Sequence, residues 1–221
     1  MNSPFEKYYP NTGTRVLLRD GTAAPLLSEQ IADGVHKIML SRDALPLWDS
    51  NLAMKLWKLP EQLLKQDEIF LHASMIAVDG KAILFTAQKQ IGKSTQAALW
   101  EQYRGAEIIN GDRALLWKKG GIWFACGSPY CGTSKICKPG VFPLSAIVLL
   151  HQAKENTVRK SSAKEAAVAF LDGCTFNSEI REQTEQILDT ATNIFSHIPI
   201  YSLYCLPDKS AVDCLASALQ A

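Results

Sequence analysis

The stretch that decides the fold runs from Ala82 to Trp100 and reads AILFTAQKQIGKSTQAALW. Its apolar start predicts a buried strand, and the residues after Gly92 have the spacing of an amphipathic helix. Between them, the run from Ala87 to Ser94 fits the Walker A pattern, with alanine in the place of the first glycine. Strand, loop and helix thus follow one another in the order that a phosphate-binding loop needs.

Each part of this loop has a predicted role toward phosphate. Successive backbone N–H groups would face the anion, the positive end of the helix would add to them, and Lys93 would supply a point charge to the β- and γ-phosphates. Ser94 would place its hydroxyl on Mg²⁺. The residues expected to contact the nucleotide are Ala87, Gln88, Lys89, Gln90, Ile91, Gly92, Lys93, Ser94 and Thr95.

A loop that holds Mg²⁺ through one serine needs a carboxylate from the end of another strand to fix the ion. Asp112 follows the apolar pair Ile108 and Ile109 and has that place in the chain. We therefore expect Ser94 and Asp112 to bind the metal. The alternative for Asp112 is a plain turn residue, because the sequence Asn-Gly-Asp also favours turns.

Turn and cap signals divide the chain around the loop into strands and helices. Asp79-Gly80 and Gly120-Gly121 each separate two β-prone runs and predict hairpins. Ser162 and Glu165 have the spacing of a capping box at the start of a helix. The class predicted is α/β, a mixed sheet with hairpins flanked by helices, and its further expected elements are strands at 107–109, 146–150 and 201–205 and helices that end at Gly173, near Pro199 and near the C-terminus.

Residues 1–69 are expected to form a small N-terminal α+β lobe or extension, and residues 70–221 the domain that carries the phosphate loop. The first part mixes β-like stretches, at 14–18 and 35–40, with Gly, Pro and Asp. Ser50 can cap a short helix, and Pro60 ends that helix or opens the turn that follows it. The role of this lobe does not follow from its residues.

The composition argues against several kinds of partner. A formal net charge of +1 provides no field that would gather nucleic acid or anionic lipid. The N-terminal residues lack an apolar core, and the apolar runs elsewhere are too short for a bilayer. The six cysteines contain no C-x-x-C pair, which favours reduced thiols over zinc or disulfides. We expect a cytoplasmic protein with no nucleic-acid or membrane partner.

Beyond these patterns, the chain resembles the catalytic domain of the HPr kinase/phosphorylase family, which groups with the phosphoenolpyruvate carboxykinases. His72, in His-Ala-Ser, opens the first hairpin, the phosphate loop follows at the family's spacing, and Asp112 ends the next strand. The loop at 129–134 and the strand at 199–203 are similar to single-domain relatives of that family. The resemblance covers about residues 70 to 220.

The resemblance implies a P-loop kinase domain that uses ATP or GTP with Mg²⁺ to transfer a γ-phosphoryl group to a hydroxyl. The acceptor would be a serine or another hydroxyl of a protein, peptide or small molecule. Lys93 and Asp112 would act on the phosphates and the metal, and His72 would lie near the reacting groups as a proton-sensitive partner. For His72 the alternative is a strand-end histidine satisfied by backbone. Relatives often form homo-oligomers, so self-association is a further expectation.

One residue departs from the pattern of that family. Its members usually have two adjacent acidic residues at this strand end, the first as base toward the hydroxyl and the second on the metal. Here Gly111 stands in the first position, and only Asp112 remains. Either the base comes from elsewhere, with His72 and Asp112 itself as candidates, or the protein binds nucleotide without efficient transfer. Loss of a general base costs roughly 10²- to 10⁴-fold in rate.

The loop from Gly127 to Gly140 is the expected place for a substrate. Its small residues let backbone approach a ligand, and basic side chains lie in it and beside it. The residues expected to contact substrate or phosphate are Arg113, Gly132, Thr133, Lys135 and Lys138. The alternative is a surface loop with solvated lysines.

Three functions remain open from the sequence. The first is the kinase described above, for which HPr is a doubtful substrate because the extended Gly-rich C-terminal signature of the bifunctional enzymes is not seen. The second is a nucleotide-binding regulatory module with weak catalysis, which Gly111 favours. The third is a metabolic phosphotransferase that acts on a free amino acid or sugar.

Overall fold

The computed structural model describes residues 6–9, 14–18, 25–32, 35–42, 45, 54, 57–88, 90–130 and 132–220. The chain divides into two compact units, Met1–Leu59 and Pro60–Ala221. The boundary expected between residues 69 and 70 instead lies inside the second unit, after the first residue of the strand Ile69–Val78. No helix in the described part of the chain has the length and apolar character to cross a bilayer.

The first unit contains an antiparallel meander whose strands pair in chain order. Its described strands are β1 (Glu6–Tyr9), β2 (Thr14–Leu18), β3 (Pro25–Ala32) and β4 (Val35–Leu40). The β-like stretches predicted at 14–18 and 35–40 are confirmed as β2 and β4. The helix expected after Ser50 lies mostly outside the described residues. Pro60 lies in the first turn of a short helix, α1 (Leu59–Leu64), where its missing N–H costs no hydrogen bond.

The second unit alternates strands with longer helices. Its strands are β5 (Ile69–Val78), β6 (Lys81–Thr86), β7 (Glu107–Asn110), β8 (Arg113–Lys119), β9 (Ile122–Gly127), β10 (Val141–Gln152), β11 (Thr157–Lys160) and β12 (Ile200–Cys205). Its helices are α2 (Lys93–Arg104), α3 (Ala163–Gly173), α4 (Arg181–Phe195) and α5 (Lys209–Gln220). A single 3₁₀ turn, Gly132–Ser134, interrupts the described part of the loop between β9 and β10.

Both predicted hairpins are confirmed. Asp79 and Gly80 join β5 to β6 with φ values of 51° and 72°, and Gly120 and Gly121 join β8 to β9 with 57° and 82°. Positive φ at both central residues matches the right-handed twist of the paired strands. The capping box is also confirmed, because the Ser162 hydroxyl and the Glu165 carboxylate each accept from the other's backbone N–H.

Eight strands of the described second unit form one mixed sheet. Strands β6, β10 and β12 are parallel to one another, while β5 is antiparallel to β6. The start of β10 also pairs with β9, so the pairings β10–β6–β5–β8–β9 return to β10. The carboxyl ends of the three parallel strands therefore all lie at the same end of the sheet.

Helices cover both faces of this sheet. Alternate residues of β5 and β6 pack with α3 and α4 in one apolar cluster, and the residues between them pack with α2 and α5 in a second cluster. This alternation follows from the two-residue period of a strand. The protein is thus a mixed α/β fold with a large sheet flanked by helices, as predicted. The short, mostly exposed edge strand β11 was not predicted, because its sequence lacks an apolar pattern.

Candidate functional site

The loop between β6 and α2 curves through backbone conformations that only particular residues adopt easily. Gln90 has φ 66°, which is uncommon for a residue with a side chain, and Gly92 has φ 126°. Ala87, in the place of the usual glycine, is outside the left-handed region, as its Cβ requires. Lys89, another predicted contact, lies outside the described residues. The order strand, loop, helix predicted from the sequence is confirmed.

Helix α2 begins at this loop, and no side chain of the described residues caps its first backbone amides. Gly92 is the N-cap, and it has no side chain to cap the helix. The amide of Gln96 is the one that bonds back to the carbonyl of Gly92, at 2.9 Å. The amides before it have no partner inside a helix, so the first turn carries partial positive charge toward the loop. Ser94 and Thr95, in that turn, are exposed.

Lys93 folds back onto the loop that precedes it. Its Nζ donates to the carbonyls of Ala87 at 2.9 Å and Gln88 at 3.3 Å, and the residue is only 9% exposed. Burial lowers the pKa of Lys93, and the negative charge of Asp112 partly opposes this shift. The ammonium is thus held within the loop, in the field of the carboxylate.

Asp112 lies in a gap between two strands that share one neighbour. Along the same edge, β5 pairs first with β8, up to His72 opposite Arg113, and then with β7, from Met75 opposite Asn110. Residues 111 and 112 fill the gap between those two pairings. The amide of Ala73 in β5 donates to the Asp112 carbonyl at 2.9 Å, which fixes the acidic residue to the central strand.

His72 and Arg113 hold the Asp112 carboxylate from two sides. His72 Nδ1 lies 2.9 Å from the Asp112 carbonyl oxygen and 3.3 Å from Oδ1, and Arg113 Nε lies 3.5 Å from Oδ2. The pKa of Asp112 is lowered, chiefly by the hydrogen bond from His72 and further by the positive charge of Arg113, although burial acts in the opposite direction. Since both oxygens near Nδ1 are acceptors, Nδ1 carries a proton and donates to them.

Position 111 has no room for a Cβ in this structure. A Cβ added there would lie 2.0 Å from Oγ and 2.7 Å from Cβ of Ser134, in the 3₁₀ turn. The same turn also packs closely against Asp112, because a Cβ on Gly132 would lie 2.8 Å from its Oδ1. The position that the Cβ of an acidic residue at 111 would take is therefore occupied by the side chain of Ser134.

The loop between β9 and β10 is tied to the end of β7. Asn110 Nδ2 donates to the carbonyls of Ser128 and Tyr130, each at 2.8 Å, and the amide of Gly111 donates to the carbonyl of Ile136 at 3.1 Å. Asn110 Oδ1 accepts from the amides of Asp112 and Arg113, each at 2.8 Å. Asn110 thus orders both the acidic turn and the loop, although sequence reasoning missed it. Its place in Asn-Gly-Asp was the available signal.

The predicted substrate residues fall into two groups. Gly132 and Thr133 lie in the turn beside Asp112, and Arg113 contacts that carboxylate, the Thr175 hydroxyl and the ring of Tyr130. Lys138, in contrast, pairs with Glu107 at 2.9 Å, at the opposite end of β7 from Asp112. Lys135 is exposed in a turn with φ 57°. Within the described residues, no group of His, Cys, Asp and Glu forms a closed metal site.

A family model described as SynChlorMet cassette protein ScmC matches residues 49–207. No curated protein matches the chain. Among solved structures, the HPr(Ser) kinase/phosphatase from Coxiella burnetii is similar with a TM-score of 0.39 and 11% sequence identity, over 68% of this chain and 92% of that one.

Proposed function

The chain belongs to the family of the SynChlorMet cassette protein ScmC, and from its own geometry we propose that it binds a nucleoside triphosphate and transfers the γ-phosphoryl group to a hydroxyl. The observation that carries this proposal is the Lys93 ammonium, held by the carbonyls of Ala87 and Gln88 at a helix N-terminus and in the field of Asp112. A buried cation beside uncapped amides is suited to a polyphosphate.

A hard divalent cation fits the donors present. The pKa of Asp112 is lowered, so its carboxylate is ionised at neutral pH, and Ser94 places a hydroxyl in the first turn of α2. Mg²⁺ takes one or two protein oxygens and fills its remaining positions with phosphate and water. Asp112 and Ser94 would hold the ion, which when bound would neutralise charge on the phosphates.

The remaining side chains have separate tasks in the proposed transfer. The loop amides and Lys93 bind and orient the phosphates, since phosphoryl transfer depends mostly on position and charge neutralisation. His72 is the proposed base, because its Nδ1 is occupied by Asp112 and its Nε2 can take the proton of an acceptor hydroxyl. Arg113, beside the carboxylate, is the proposed contact for an anionic group of the substrate.

A second candidate is a nucleotide-binding regulatory module with weak catalysis. It is favoured by Ser134, whose side chain fills the volume of the acid that the resemblance places at position 111. The two functions share the phosphate site and differ in turnover. A measurement of phosphoryl transfer by the wild type therefore distinguishes them.

Calorimetric titration with ATP and with GTP, each with Mg²⁺, tests the phosphate site. We expect Lys93→Ala and Asp112→Asn to weaken binding by about tenfold or more, because each removes a charge-assisted contact. Lys118→Ala, which removes an exposed lysine of β8 that bonds to Asn193, is the matched control and should bind as the wild type does. Equal affinity in Lys93→Ala and wild type would contradict the proposal.

Transfer of labelled γ-phosphate to serine peptides and small hydroxyl compounds tests the reaction. We expect His72→Gln to keep nucleotide affinity and to lower transfer by roughly 10²- to 10⁴-fold. Tight binding by the wild type with no transfer to any acceptor would instead support the regulatory module.

A further inference from the structure

A cavity of about 390 Å³ opens beside the phosphate loop. One wall is the loop itself at Ile91 and Gly92, with the first turn of α2. A second part of the lining comes from the ends of β10 and β12 and the residues after them, Leu150, Cys205 and Leu206 among others. Its volume lies in the range of sites that enclose small molecules, roughly 300 to 1,000 Å³.

The position of this cavity follows from the sheet. Strands β6, β10 and β12 are parallel, and the phosphate loop extends from the carboxyl end of β6. The cavity lies outside the carboxyl ends of the other two strands. Ligands of α/β proteins bind outside the carboxyl ends of parallel strands. A molecule whose phosphates lie in the loop would therefore extend its remainder along the ends of β10 and β12.

One buried polar atom in this wall has no partner. Gln96 is 2% exposed and lines the cavity, and its Nε2 donates to Cys205 Sγ at 3.3 Å. Its Oε1 is buried, and no described residue donates to it. A buried amide oxygen without a hydrogen bond is costly, and a ligand that brought a donor would remove that cost.

We propose that this cavity binds the nucleoside part of the nucleotide, a purine base with its ribose. Leu150, Leu206 and Pro207 provide apolar surface for the faces of the base, and Gln96 Oε1 accepts a hydrogen bond from an N–H of the base or an O–H of the ribose. This inference rests on the proposed function, because the phosphates must lie in the adjacent loop.

Comparing ATP with inorganic tripolyphosphate, each with Mg²⁺, separates the nucleoside from the phosphates. We expect the wild type to bind ATP at least about tenfold more tightly, the effect of one completed hydrogen bond with apolar packing. Ala153→Trp, which fills the cavity, should remove that difference and leave tripolyphosphate binding unchanged. Ala98→Trp, on the exposed side of α2, is the matched control and should keep the difference.

Gln96→Leu tests the buried oxygen. This variant should lower ATP affinity about tenfold without changing tripolyphosphate affinity. Three ATP analogues identify the donor to Gln96 Oε1: purine riboside triphosphate lacks the amino group of the base, and the triphosphates of 2′- and 3′-deoxyadenosine each lack one ribose hydroxyl. The analogue that lacks the donor should bind wild type and Gln96→Leu with equal affinity.

Thiol labelling gives a second readout on the wild-type protein. ATP, and not tripolyphosphate, should slow maleimide labelling of Cys205, while exposed Cys137 serves as the internal reference. If ATP and tripolyphosphate bind equally and ATP does not protect Cys205, the cavity is not a nucleoside site, although the phosphate site stands. If neither probe binds, the proposed function fails and this inference fails with it.

Discussion

At the scale of single residues, Lys93 shows how a buried charge is kept for a ligand. Two carbonyls of its own loop accept from its ammonium, yet burial still lowers its pKa below the ordinary 10.5. The folded chain therefore holds this proton less tightly than the unfolded chain does. In the protein without ligand, the charge of Lys93 opposes folding, and a polyanion would reverse that effect.

The lowered pKa of Lys93 predicts that this one side chain makes the free energy of unfolding depend on pH. Between the lowered pKa and 10.5, the unfolded state binds more protons than the folded state, so the free energy of unfolding rises with pH. We expect wild type to gain stability relative to Lys93→Met as the pH is raised toward 10.5, measured by urea unfolding. Lys118→Met should follow the wild type. A Lys93→Met curve parallel to wild type across this window would show that folding does not lower the pKa of Lys93.

At the scale of elements, the acidic turn after β7 and the 3₁₀ turn at Gly132–Ser134 fit against each other. Gly111→Asp should lower the free energy of unfolding by about 1–3 kcal/mol, because the new side chain would overlap Ser134. Ser134→Gly in the same chain should recover most of this loss, as chemical denaturation would measure. Additive effects of the two substitutions would refute the contact. If transfer is limited by the missing acid, the double variant is also expected to transfer phosphate faster than wild type.

The same two turns show what the sequence could and could not reveal. The hairpins, the capping box and the strand–loop–helix order come from residues close together in the chain, whose local propensities agree with the fold. The contact of Ser134 with Gly111 and the bonds of Asn110 to the loop at 128–130 join distant segments. A contact between segments that are far apart in the chain leaves no periodicity or motif in the sequence. The cavity beside the loop went unpredicted for the same reason.

At the scale of the whole molecule, the second unit contains its own core. Both apolar clusters are built from residues between Leu64 and Ala216, and every described site residue belongs to this unit. We therefore expect a chain of residues 60–221 to unfold cooperatively and to bind Mg²⁺–tripolyphosphate with the affinity of the full chain, by calorimetry. A truncated chain that is folded but does not bind would assign a role in the site to the first unit.

The shared pairing of β5 has a consequence for how the site forms. Strand β6, which leads into the phosphate loop, and the two strands that flank Asp112 are all hydrogen-bonded to β5. The hydrogen-bonded strands thus set the spacing between the Lys93 loop and the Asp112 carboxylate before any ligand binds. Binding therefore costs little conformational entropy around Asp112, and this preorganisation raises the affinity for the anion.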